Sequence, residues 1–133
     1  MWTEIKDQIE IENLMEKFGD FHDSCIRDIY ISTEEFVDKE HSMCFENVLT
    51  VSLLFQRQSR ENSVLELKFE AVKGMDYGQW FKDGSTMTYE ATLEMENDLF
   101  YWVNDFNLEI SAKRVFWRFR PELVGNVRRI NED

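Results

Sequence analysis

At 133 residues and 16.0 kDa, with 43% hydrophobic residues and 19 aromatic side chains, the chain is long enough for one domain with a real core and too apolar to be disordered. No run approaches the roughly 18 apolar residues of a membrane helix, and Met1-Trp2-Thr3-Glu4-Ile5-Lys6-Asp7 lacks the apolar stretch of a signal peptide. The net charge is −12, yet residues 113–133 carry +3 and residues 1–112 therefore −15, a field that disfavours nucleic acid and anionic lipid and steers basic partners.

Thr3 to Phe18 reads as a helix with Thr3 as N-cap and Gly19 as the stop. Ile11, Leu14, Met15 and Phe18 fall on one side of it, and Trp2, Ile5 and Ile9 nearly opposite. If only one side docks on a sheet, Trp2, Ile5 and Ile9 are exposed and mark an oligomer interface. A break near Glu10, or an extended lead-in, buries both clusters instead.

Strands are expected at 24–32, 48–56, 64–73, 86–96, 99–104 and 110–119, with Pro121 closing the last. Leu49, Val51, Leu53 and Phe55 share one face, as do Leu65, Leu67, Phe69 and Ala71, which leaves Glu66, Lys68 and Glu70 outside. Thr86 to Glu96 alternates polar with apolar, and Asn97-Asp98 suits the tight turn of a hairpin. Residues 34–41, with Glu34, Glu35, Asp38 and Glu40 around His41, read as a solvated loop. Gly74 to Gly84 reads as a longer connection with a helical turn. Together these predict a single α+β, mostly β domain: helix over 1–19, sheet over 22–120, tail over 121–133. The sheet is expected to be a curved antiparallel meander of five to seven strands.

Catalytic signatures are weak. His22-Asp23-Ser24 holds the residue types of a hydrolase triad, but consecutive residues on an extended segment cannot converge, and there is no Gly-x-Ser-x-Gly turn. Calcium loops and phosphate-cradling glycine loops are missing, and Cys25 and Cys44 have neither metal-ligand spacing nor a disulfide framework. This reading assigns no enzyme activity, metal or cofactor, and the unpaired thiols fit a cytoplasmic protein.

On the last strand Arg114, Arg118 and Arg120 alternate with Val115, Trp117 and Phe119. A row of arginines there suits cross-strand pairing with acids such as Glu90 and Glu94 better than a nucleic-acid platform. Gln56-Arg57-Gln58 is either a fraying strand end or, through Arg57, a carboxylate-binding fork.

Phe18-Gly19-Asp20-Phe21-His22-Asp23-Ser24-Cys25-Ile26 resembles the F-x-x-F-H-D-S-x-I opening of a group of small uncharacterised bacterial proteins. Phe55-Gln56-Arg57-Gln58 is similar to their F-Q-R-Q strand end, and Tyr101-Trp102, Ala112 and Trp117-Arg118 to their late pattern. The group in turn resembles immunity-type proteins of polymorphic toxin systems, which implies a non-enzymatic, cytoplasmic binder of a cognate toxin. On that reading a basic protein partner meets Glu66, Glu70, Glu90 and Glu94, with Tyr77, Trp80 and Phe81 as apolar anchors. The alternatives are a small-ligand pocket oriented by His22 or Arg57, and a homo-oligomer joined through Trp2, Ile5 and Ile9.

Overall fold

Strand β1 (Thr3–Ile5), not a helix, opens the chain in the computed structural model, which describes residues 1–45, 48–79, 82 and 84–126. Helix α1 spans Gln8–Lys17. Its N-cap is Asp7, whose carboxylate accepts from the Glu10 N–H at 2.9 Å, while Glu10 reaches back to the Lys6 N–H. The N-cap therefore lies four residues later than expected from Thr3. The residues before it pair with the last strand, and Ile5, only 1% exposed, joins the core. Gly19, at φ +58, ends the helix as expected.

The remaining strands are β2 (Ser24–Ser32), β3 (Phe36–Val37), β4 (Met43–Cys44), β5 (Thr50–Arg57), β6 (Val64–Asp76), β7 (Ala91–Glu96), β8 (Leu99–Asn104) and β9 (Glu109–Phe119). The large sheet is antiparallel, in the order β2-β5-β6-β9-β8-β7, with β1 also paired to β9. Two runs, β2-β5-β6 and β7-β8-β9, thus join along the long β6–β9 pair. β3 and β4 form a separate hairpin between β2 and β5, where a solvated loop was expected.

Asn97 (φ +53) and Asp98 (φ +64) both adopt the left-handed region, so the β7–β8 turn is the two-residue type the sequence predicts. The alternation seen from Thr86 onward is divided between two neighbours, however. Ala91–Glu96 pairs with β8, whereas Thr88 bridges Ser24 and the Thr86 hydroxyl bonds both the N–H and the carbonyl of Ile26 at 3.0 Å. Asp105 takes the Tyr89 N–H at 2.9 Å and separates the two halves. The sheet's ends approach each other here without closing into a barrel.

The concave face packs on Ile11 and Leu14 of α1 and on Phe18, the helix C-cap. At its centre Phe21 meets Phe55 at 4.9 Å and Trp102 at 5.6 Å between ring centroids, mostly edge-on. Ala71 departs from the expected inward row. Its φ of +53 and the adjacent register shift turn Val72 into the core in its place.

Candidate functional site

The corner between α1 and β2 brings the two strongest sequence motifs together, because Ser24 lies opposite Arg57 and Cys25 opposite Gln56 in the β2–β5 ladder. Gly19, Asp20, Phe21 and Asp23 all have positive φ, and the tight turn drives the Phe21 ring into the core. Arg57 holds the corner. Its guanidinium donates to the carbonyls of Lys17 (3.2 Å), Glu61 (3.0 Å) and Asn62 (3.0 Å), and it lies over the Phe18 ring. Burial pulls its pKa below the ordinary arginine value, opposed by Glu61. Most of the fork offered to a ligand is therefore engaged with main chain. His22 Nδ1 sits 2.8 Å from the Tyr89 carbonyl, which makes that nitrogen the donor, and Nε2 faces Asp23 at 3.2 Å. Arg57 and Asp23 do line a shallow cavity of about 270 Å³ with Cys25 and Met87, but His22 is outside it. His22 and Arg57 share a smaller, neighbouring hollow of about 230 Å³.

On the convex face the arginine row meets acids, though not the expected ones. β9 lies beside β6 and β1, so Arg114 clasps Glu4 in a bidentate pair at 2.9 and 3.1 Å and reaches Glu70 at 3.4 Å. Arg118 donates to Glu66 at 2.6 Å, and Arg120 reaches Glu66 at 3.3 Å and Glu122 at 2.7 Å. The bond from Arg114 holds Glu4 below the ordinary glutamate range, and the bond from Arg120 does the same for Glu122. Trp2 lies beneath the cations of Arg118 (4.2 Å) and Lys68 (4.4 Å). Glu66 is only 1% exposed, so it is removed from the surface a partner would touch, and Glu70 is already paired with Lys68 and Arg114.

Glu90 and Glu94 have no part in that layer. They stand at the opposite edge of the sheet, along a groove of about 630 Å³ between β7 and α1. Glu12, Glu16 and Asp20 face them across it, Ile11, Met15 and Leu93 supply apolar lining, and among the described residues no basic side chain borders it. The helix acids were missed in the sequence. Their signal is faint: Glu12 and Glu16 are like charges four residues apart, an arrangement that costs an isolated helix a few tenths of a kcal/mol.

The other predicted residues are scattered. Tyr77 is half-buried against the core, while Trp80 and Phe81 lie outside the described residues. The patch proposed from Trp2, Ile5 and Ile9 does not form: Ile5 is buried in the β1–β9 pair, Trp2 is stacked under cations, and only Ile9, 72% exposed, faces solvent. Exposed apolar side chains lie instead in and just beyond the expected solvated loop. Phe36, Val37, Met43 and Phe45 on the β3–β4 arm are all more than half exposed.

Among the described residues no group of three or more His, Cys, Asp or Glu is placed to hold a metal, and no helix is long and apolar enough to cross a membrane. No protein-family model and no curated protein matches the chain. A crystal structure of an uncharacterized protein from Neisseria gonorrhoeae is similar at 16% identity and a TM-score of 0.47, over 89% of this chain and 97% of that one.

Proposed function

We propose that this chain is a non-enzymatic, cytoplasmic protein-binding module that takes a basic protein partner, as an immunity-type inhibitor takes its toxin. The observation that carries the reading is the groove between α1 and β7, bordered by five carboxylates from these two elements and the residues flanking them and, among the described residues, by no base. On the convex face of β6 and β9, by contrast, Glu4, Glu66 and Glu70 are each paired with an arginine of β9. An uncompensated acidic groove over an apolar floor attracts a cationic partner at long range and holds it by desolvated contacts at short range. The exposed apolar side chains of the β3–β4 arm fit the same class of function.

The test is a pull-down from the native lysate with the wild-type chain and a Glu90→Lys/Glu94→Lys variant, followed by association kinetics with the purified partner. The wild type should retain a basic protein at low salt and lose it at high salt. The variant, with an unchanged melting temperature, should associate about tenfold more slowly or less. Equal capture and equal rates for the two chains would remove the groove from the function.

A further inference from the structure

Resting on that reading, we infer that the groove receives an extended segment of the partner as an added β-strand on the free edge of β7, with basic and apolar side chains alternating along it. Three observations lead there. First, β7 ends the strand order, and among the described residues no strand pairs with its outer edge. Second, the groove is bordered by Glu90, Ala91, Thr92, Leu93 and Glu94 in succession. Consecutive residues of both parities border one groove where it runs along the edge of the strand rather than over a face. Third, the two-residue turn at Asn97-Asp98 sets the phase. Glu96 and Leu99 flank it as a hydrogen-bonded pair, so Glu94 and Thr92 also bond to β8. The backbone N–H and C=O groups of Ala91, Leu93 and Met95 therefore point outward, those of Ala91 and Leu93 towards the groove.

That phase specifies the occupant. A residue opposite Leu93 in an antiparallel segment exchanges backbone bonds with it and turns its side chain the same way, towards the apolar lining from Ile11 and Met15. Its neighbours turn theirs outward, beside Glu90 and Glu94, where a lysine or arginine makes cross-strand pairs. The same acids discourage a second copy of β7 from pairing there, since like charges would face each other. The edge is thus closed to self-association and open to a cationic strand.

The probe is a capped Lys-Val-Arg-Val-Lys-Val hexapeptide binding to the full chain at low salt, read by fluorescence anisotropy and by amide hydrogen exchange. N-methylation of the valines removes the donors that face β7 and should weaken binding tenfold or more. N-methylation of the basic residues leaves those donors in place and should change affinity less than about twofold. Exchange at Leu93 and Met95 should slow on binding. If both methylated peptides bind like the parent, and binding still requires Glu90 and Glu94, strand addition is overturned and the acidic-groove reading stands. Binding indifferent to Glu90→Lys/Glu94→Lys overturns both, and no binding by any of the peptides overturns strand addition.

Discussion

Replacing Glu66 with alanine removes the one carboxylate that Arg118 and Arg120 share on the convex face. Glu66 is 1% exposed, and the side chains of Arg118 and Arg120 are 23% and 12% exposed, so neither cation can fully rehydrate in place. Removing one member of a buried ion pair costs about 3–5 kcal/mol, because it leaves an uncompensated charge. Arg120 retains Glu122 at 2.7 Å and Arg118 retains the Trp2 ring at 4.2 Å, which places the expected loss at the lower end, about 3 kcal/mol. For a domain of this size that is a fall in melting temperature of roughly 10 °C. Urea unfolding is the assay: the midpoint should drop while the slope against denaturant stays constant. A Glu66→Leu/Arg118→Leu double variant, which removes both charges, should recover part of the loss. A loss for Glu66→Ala below about 1 kcal/mol is the value of an exposed surface pair, and would refute the claim that this carboxylate is structural.

Arg57→Ala should destabilise the fold by about 2–3 kcal/mol, since it frees three carbonyls at once. Arg57→Lys should restore little, because a single ammonium cannot match the planar fork; full stability in either variant would return Arg57 to the role of a ligand-binding group. Acid should also weaken the fold in a defined way. Glu4 and Glu122 are held below the ordinary glutamate range in the folded state, so their contribution is complete above that range and is lost as pH falls through the lowered folded values. Urea midpoints measured from about pH 5 down to about pH 3 should fall for the wild type and fall less for Glu4→Gln/Glu122→Gln; equal slopes for the two would contradict this.

Where the sequence proved legible, the signal was local. The period-two rows of β5, β6 and β9 and the Asn97-Asp98 turn depend on a residue and its near neighbours, and they appear as read except at Ala71. β1 was not legible. Thr3-Glu4-Ile5 is too short to show a period, and it is extended only because Trp117, Phe116 and Val115 lie opposite it, over a hundred residues later. The β3–β4 arm escaped for the same reason, each strand being two residues long within an acidic stretch.

The candidate site divides along the same line. By alternation Glu66, Glu70, Glu90 and Glu94 are equivalent: each is the polar member of an amphipathic strand, and the chain alone determined that each would leave the concave core. What lies over the convex side depends on which strands become neighbours. Pairing of β6 with β9 set arginines beside Glu66 and Glu70, while β7, at the far edge, kept Glu90 and Glu94 clear of bases among the described residues and brought them opposite Glu12 and Glu16 of α1. Sequence patterning fixes the side of a strand on which a charge stands, because side-chain direction is a local property of the backbone. Tertiary structure decides whether that charge is neutralised or left to attract a partner, because electrostatic energy depends on distance in space and not along the chain.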